Sequence, residues 1–475
     1  MTGENKKSLL TLQQVLESTG GVHVLGSGEF CFTSVQTDSR MVQDGTLFVP
    51  LIGQAQDGHK YVPEAIEKGA SVIFIRLRNF EEDGDFFASL SQNNPDVFFI
   101  GVESTLYALQ RIAARYVEKF PDLIKIAVTG SSGKTTTKEI LASVLGQKFS
   151  VVTNKGNLNS ETGLPLSVFG INEGHKAGVF EMGMNRRDEI KEIAAVLKPR
   201  MALVTNIGTA HVGLLGSREN IAREKAMVFS HFNGIGTGVI PADDDFSDFL
   251  AEQIDGNVVR YGEGLVPGVE FVEDLGLDGT RLSVDGVEAV LHLPGKYNYR
   301  NALGAIALAR ILGVSAEEIA RGINSLRPVS ARSEVIRGKY TIMQDCYNAN
   351  PDSMRKALEF VSGVPFEGKK ILILGDMLEL GESSAEDHGL IGELAAGGGA
   401  DFVIFAGDEM SFAYDRARRM NGGSGIFYVP GNGEDSMHRI AETVRGISRG
   451  GDLVLVKGSR GMGLERVVQE LEASV

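Results

Sequence analysis

Tryptophan is absent from this chain, cysteine occurs only twice, and no apolar run approaches the ~18 residues that a membrane-crossing helix needs. Each shortage removes a class of protein. Cys31 and Cys346 stand far apart and form no Cys-x-x-Cys pair, which excludes a disulfide framework and a thiolate zinc site and fits a reducing compartment. The stretch Met1 to Ser8 is polar and leads into an amphipathic helix, without the apolar centre of a signal peptide. Positive charge is scarce as well: 47 Lys and Arg against 62 Asp and Glu leave a formal charge of -15. Such a surface repels a polyanion, so nucleic acid is excluded as a broad partner, while a local basic pocket for a small anion stays open. The expectation is a cytoplasmic protein without membrane insertion, acting on a small molecule.

What is present is organised around Thr129-Gly-Ser-Ser-Gly-Lys134-Thr135-Thr-Thr-Lys138, which follows the apolar run Ile124 to Val128 and opens into a helical pattern at Ile140, Leu141, Val144 and Leu145. Strand, glycine-rich turn and helix in that order point backbone N–H groups and the positive end of a helix dipole into one concavity, which suits a polyphosphate. The nucleotide-binding candidates are therefore Gly130, Ser131, Ser132, Gly133, Lys134, Thr135 and Thr136. Lys134 is expected at the β and γ phosphates, and the Thr135 hydroxyl on Mg2+. The first glycine of the usual pattern is missing, since Thr129 stands five residues before Lys134.

At 475 residues the chain suits about three domains. Residues to about 105 read as a small α/β unit. Its first helix is announced by the capping pattern Thr11-Leu-Gln-Gln14 and stops at Gly20-Gly21. Asp38, Ser39 and Arg40 read as a capped turn with a solvated ion pair. A second unit alternates the loop strand, strands at Gly178 to Met182 and Met201 to Asn206, and a helix from Arg187 to Leu197, which implies a parallel sheet with ligands at its carboxyl edge. Glu181 and His211 fall at that edge. Each alone reads equally as a helix cap or a structural histidine, but with Thr135 they supply a carboxylate, an imidazole and a hydroxyl for Mg2+. Lys225 shares a helical face with Ile221 and Val228, either snorkelling to the surface or turned toward the phosphate end. Gly234 to Leu293 reads as a loop-rich β insertion, and Arg327 to Arg332 as a linker. The last third alternates strands with helices as a doubly wound unit, with Asn350 and Pro351 opening one helix.

Together, several runs resemble one family. Val128 to Glu139, Glu181-Met-Gly183, Thr205-Asn-Ile-Gly-Thr-Ala-His211, Tyr347-Asn-Ala-Asn-Pro-Asp-Ser-Met354, Leu374-Gly-Asp-Met-Leu-Glu-Leu-Gly381 and Val456-Lys-Gly-Ser-Arg460 stand in the order found in the Mur ligases. The resemblance runs from about Thr37 to Arg466. It implies an α/β fold of three domains: residues 1–105 for a UDP-sugar, 106–332 as a P-loop ATP-binding domain around a parallel sheet, and 333–475 as a Rossmann-like domain closing over the nucleotide. It assigns Thr37, Asp38, Ser39 and Arg40 to the uridine, Asn157 and Asn159 to the substrate phosphates, and Asn301, Arg332 and Asp345 to the nucleotide. Lys225 matches a lysine that is carbamylated in relatives. Ser160, Tyr297 and Met227 depart from the family's pattern.

The implied reaction consumes ATP with Mg2+, activates a carboxylate as an acyl phosphate and joins it to an amine, with Lys134, Glu181, His211 and Lys225 as the catalytic set. The nearest branch adds D-alanyl-D-alanine to UDP-N-acetylmuramoyl-tripeptide, and the chain is expected to work as a monomer. Competing readings are the ligase adding the third residue of the same peptide, a folylpolyglutamate synthetase, and a P-loop phosphotransferase or nucleotide-dependent binding module. The last two explain residues 124 to 145 and leave the carboxyl-terminal motifs without a role.

Overall fold

The computed structural model describes residues 7–53, 56–421 and 423–473, so Met1 to Lys6 of the polar start lie outside it, as does Gly422. The first helix is Leu12–Thr19, with both hydrogen bonds of the Thr11/Gln14 capping box in place and a left-handed Gly20 ending it at φ 66°. Behind it lies a five-stranded sheet in the order Val22–Leu25, Phe98–Val102, Ala70–Arg76, Thr46–Phe48, Ser34–Gln36, antiparallel only at its first pair.

The central sheet has six strands, all parallel: Gly256–Tyr261, Gly236–Pro241, Met201–Val204, Ile124–Thr129, Ala177–Glu181 and Val151–Thr153. Parallel pairing brings every carboxyl end to one edge, where the phosphate loop, Glu181 and the segment leading to His211 emerge. Here the expected insertion at Gly234 to Leu293 is corrected. Its first two strands extend the central sheet, joined by a helix at Ser247–Glu252, and only Val269–Asp274, Thr280–Val284 and Val287–Leu291 form a separate antiparallel sheet. Two glycines of the first of these strands have a packing role: a side chain on Gly236 would collide with Phe232, and one on Gly238 with Ile254.

Downstream, Glu334–Arg337 pairs antiparallel with Thr341–Asp345, and the sheet continues in parallel through Leu453–Lys457, Lys370–Gly375, Phe402–Ala406 and Ile426–Val429. Asn350 and Pro351 open the helix Pro351–Gly363 as expected, the Asn350 side chain accepting from the Ser353 N–H.

Core packing divides the molecule unevenly. Helix Thr105–Val117 buries Ala108, Leu109, Ile112 and Ala113 in one cluster that runs from Val72 and Ile100 of the first sheet to Phe180 and Val204 of the central one. The clusters on the C-terminal sheet are self-contained: apart from Leu277 and Ala331, their members come from beyond residue 333. That lobe therefore meets the central unit mainly through polar side chains and close backbone. Among the described residues no helix is long and apolar enough to cross a membrane, and neither cysteine is in a disulfide.

Candidate active site

Strand Ile124–Thr129 delivers the loop 130–133 to helix Lys134–Leu145. Gly130 (φ 146°) and Gly133 (φ 81°) occupy conformations that favour glycine, and each is also a close approach. A Cβ on Gly133 would lie 2.6 Å from Asn301 Oδ1, and one on Gly130 would run into Thr205. The loop is braced by the end of the adjacent strand: Ser131 N–H donates to Asn206 O (2.9 Å), Ser132 N–H to Asn206 Oδ1 (3.1 Å), and Thr205 Oγ1 to Ser132 O (2.6 Å). No side chain caps the helix, which leaves its positive end to an anion. Lys134 Nζ curls back to donate to Gly130 O at 3.0 Å, and burial together with the Arg332 charge holds its pKa below the ordinary lysine value, opposed by Glu181.

Glu181 is 2% exposed and held on both oxygens, Thr135 Oγ1 donating to Oε2 at 2.5 Å and Asn159 Nδ2 to Oε1 at 2.7 Å. Its backbone is held by Asn154, whose Oδ1 accepts from Glu181 N–H (2.9 Å) and whose Nδ2 donates to Glu181 O (3.0 Å) and Leu158 O (2.8 Å). The strand Val151–Thr153 has just ended, so the Asn154 side chain continues the ladder where the backbone leaves it. Buried Lys138 donates in turn to Asn154 O at 2.8 Å.

His211 follows the central strand Met201–Val204 in the left-handed region (φ 65°), its Nδ1 2.8 Å from Glu379 Oε2 of the C-terminal lobe. Lys225, on helix Arg218–Ala226, shares its buried face with Ile221 and Val228, and the snorkelling alternative is excluded because the residue is only 1% exposed. Its Nζ makes no hydrogen bond or ion pair among the described residues, and burial, then the Lys134 charge, pushes its pKa well below the ordinary lysine value. Beside it Glu224 accepts from the N–H groups of Asp188 and Ile190, both at 2.8 Å, closing the start of helix Glu189–Leu197.

Across the cleft Arg332 stacks on the Tyr347 ring at 3.9 Å, with its buried Nε lacking a partner. Asp345 accepts from Lys457 Nζ (2.6 Å) and Ser333 N–H (3.1 Å). The seam between lobes is polar: Asn350 Nδ2 donates to Ser132 Oγ (3.2 Å), and Thr209 N–H and Oγ1 both donate to Asp352 Oδ2 (2.9 and 3.1 Å).

These groups surround one cavity of about 430 Å³. Ser131 to Thr136 line it, with Asn157, Asn159, Glu181, His211, Asn301, Arg332 and Asp345. Gly130 and Lys225 are not among the lining residues; the electrostatic influence of Lys134 and Glu181 on Lys225 puts the lysine near the phosphate end without opening it to the cleft. Thr37 to Arg40 lie apart, beside the edge strand Ser34–Gln36 of the first sheet. There Asp38 caps the short turn and pairs with exposed Arg40 at 2.7 Å, while Ser39 Oγ donates to Glu64 Oε2 at 2.7 Å.

Among the described residues no group of three or more His, Cys, Asp or Glu could hold a metal alone. The donors nonetheless fit Mg2+: a hydroxyl and a buried carboxylate oxygen lie side by side at Thr135 and Glu181, and a hard cation takes oxygen ligands completed by substrate phosphates. Sequence reasoning gave no role to Asn154, Glu379, Asp352 or Lys457. Three of them stand within or next to runs singled out for other reasons, and only Asn154, after a three-residue strand, carried no signal at all.

Three family models match in succession: the Mur ligase family catalytic domain over residues 32–116, the Mur ligase middle domain over 128–309 and the Mur ligase glutamate ligase domain over 331–460. The chain is also 41% identical over 460 residues to the UDP-N-acetylmuramoyl-tripeptide–D-alanyl-D-alanine ligase of Treponema pallidum, covering 97% of this chain and 98% of that protein. The chain belongs to the Mur ligase family. Mur ligase structures match it along its length: MurF from Acinetobacter baumannii (TM-score 0.82, 28% identity, 98% of each chain) and MurF from Thermotoga maritima in complex with ADP (TM-score 0.74, 28% identity, 93% of this chain and 97% of that one). As a Mur ligase the chain has the three-domain α/β architecture of the family.

Proposed function

We infer that this protein is an ATP-dependent ligase that joins D-alanyl-D-alanine to the terminal carboxylate of UDP-N-acetylmuramoyl-tripeptide, a step of peptidoglycan precursor synthesis. The observation that carries it is the full-length similarity to the Treponema pallidum ligase. The cleft supports its use of ATP independently, because a phosphate loop faces the linker's Arg332 and a lysine–aspartate pair of a second lobe across a space of nucleotide size.

A carboxylate does not react with an amine at neutral pH, so it must first be activated. A carboxylate oxygen attacks the γ-phosphorus, the bond to the bridging oxygen breaks and ADP leaves with that electron pair. The amine nitrogen of the dipeptide then attacks the acyl carbon, loses a proton, and inorganic phosphate departs. Lys134, the loop N–H groups and Arg332 bind and neutralise the phosphoryl oxygens, which makes the catalysis electrostatic and positional. Thr135, Glu181 and His211 would hold Mg2+, which supplies charge neutralisation between the carboxylate and phosphate oxygens. Lys225 joins that set as a carbamate: an ammonium buried without a partner is costly, whereas a neutral amine adds carbon dioxide and presents oxygens to a cation.

In this reading residues 1–105 bind the UDP-sugar through Thr37 to Arg40, residues 106–332 bind ATP, residues 333–475 close the site, and Asn157 and Asn159 meet the substrate phosphates. Asn301, Arg332 and Asp345 contact the nucleotide. The enzyme works as a cytoplasmic monomer. The test is phosphate release and product mass with the tripeptide and dipeptide acceptors, each offered D-alanyl-D-alanine, D-alanine, L-lysine or meso-diaminopimelate. Preference for a diamino acid on the dipeptide acceptor would refute the substrate assignment and leave the acyl-phosphate chemistry standing.

A further inference from the structure

His211 and Glu379 meet across the lobe boundary, and both pay a conformational penalty to do so. Their φ angles are 65° and 66°, in the left-handed region where a non-glycine residue costs of order 1–3 kcal/mol. The contact itself returns little stability, because Glu379 is 51% exposed and such a contact, even if fully charged, contributes about 0–1 kcal/mol. A strained pair with so small a return is better explained by function.

The surroundings deliver Glu379 to one place. Met377 N–H donates to His388 Nε2 and Leu378 N–H to Ser459 Oγ, both at 2.9 Å, so the loop ahead of Glu379 is pinned to its own lobe. Two residues beyond each partner the backbones touch. A Cβ on Gly213 would sit 2.7 Å from Gly381 N and 2.8 Å from Glu379 O, so the seam closes only with glycine there. The carboxylate accepts from Nδ1–H, which fixes the ring orientation and leaves the Nε2 lone pair without a partner among the described residues, on a side chain that lines the cavity. A carboxylate behind a metal-binding imidazole has this arrangement.

We propose that Glu379 is a positioning residue, contributed by the C-terminal lobe, that orients His211 as a metal ligand only when the two lobes are seated together. This rests on the reading that His211 belongs to the Mg2+ site. Lobe closure and metal affinity are then one event, since withdrawing the C-terminal lobe frees the His211 ring to rotate.

The test is Mn2+ binding to the full-length protein with ADP, read from the electron paramagnetic resonance signal of the unbound ion. Thermal unfolding confirms that each variant is folded. Glu379→Ala should weaken Mn2+ binding about tenfold, the lower end of the effect of losing such a partner, and Glu379→Gln, which keeps an acceptor, should weaken it less. His211→Ala should weaken binding, and adding Glu379→Ala to it should change nothing further, because one residue acts through the other. Gly213→Ala, with Glu379 intact, should reproduce the Glu379→Ala loss by wedging the backbones apart. If His211→Ala binds Mn2+ normally, the metal reading falls and the proposal with it. If His211→Ala weakens binding but Glu379→Ala does not, or if the two losses multiply, the proposal alone is overturned. Normal binding by Gly213→Ala overturns the dependence on closure.

Discussion

Replacing Asn154 with alanine should damage the site from a position that touches no substrate. The side chain makes three hydrogen bonds to backbone, with Glu181 N–H, Glu181 O and Leu158 O, and is 1% exposed. Alanine leaves the Glu181 N–H and Glu181 O without partners in a place water reaches poorly, while Leu158 O keeps Ser167 Oγ at 3.4 Å. A buried unsatisfied group costs about 1–3 kcal/mol, and carbonyls tolerate it better than N–H groups, so the two together cost about 3 kcal/mol. That figure corresponds to a roughly hundredfold rise in local opening at the end of strand Ala177–Glu181. Hydrogen–deuterium exchange of peptides spanning 177–184 reads it directly, and global unfolding is a poorer measure because three lobes need not unfold together. Asn154→Asp should not rescue, since it keeps the acceptor for Glu181 N–H but sets a second carboxylate beside Glu181. Exchange within threefold of wild type in Asn154→Ala would refute the argument that this side chain completes the sheet edge.

Lys134→Ala should keep the fold and lower turnover at least about a hundredfold, the scale for losing one preorganised charge-stabilising donor; near-normal turnover in a folded variant would remove its phosphate role. Lys225→Ala should be rescued in part by short-chain carboxylic acids, which replace the carbamate oxygens, and a bare amine in the density of a metal-loaded crystal together with failed rescue would refute carbamylation. The Arg40 hydrogen bonds hold the Asp38 carboxyl at about 2, below the ~3.9 of an unfolded aspartate. Because the folded value is the lower one, the pair's contribution is fully present above about pH 4 and disappears as pH falls toward 2. The Tm difference between Asp38→Asn and wild type should thus be small, flat from pH 5 to 8, and vanish near pH 2.

How much of this could be read in advance depended on whether the signal was local. The capping box at Thr11, the Asn350–Pro351 helix start and the phosphate loop are written in adjacent residues, and the structure reproduces each. The spacing of Lys225 with Ile221 and Val228 put it on their helical face but could not decide between snorkelling and burial, which the structure settles as burial. Strands Gly236–Pro241 and Gly256–Tyr261 were missed because their glycines answer to close approaches: Gly236 to Phe232, Gly238 to Ile254 sixteen residues on, and Gly256 to the Gly236 backbone of the paired strand. Asn154 was missed for the same kind of reason. Its partner Glu181 is 27 residues away, and nothing near it in the chain shows that the strand before it stops short.

The acidic excess that argues against a polyanionic partner also has local work inside the fold. Around the cleft stand five non-glycine residues in the left-handed region, Asp188, His211, Ala331, Ser333 and Glu379. Each is held through a carboxylate: Asp188 N–H by Glu224, Ala331 N–H by Glu334, Ser333 N–H by Asp345, and His211 Nδ1 by Glu379 itself. At Asp188, Ala331 and Ser333 the strained backbone costs of order 1–3 kcal/mol and a backbone N–H donated to a carboxylate contributes about 1.5–3 kcal/mol, so the two are matched in size, which the exposed His211–Glu379 contact is not. Removing one carboxylate at a time should release the strain at its own turn first. The arginine of the linker, the histidine beside the phosphate loop and the start of helix Glu189–Leu197 would loosen separately, before any of the four sheets does.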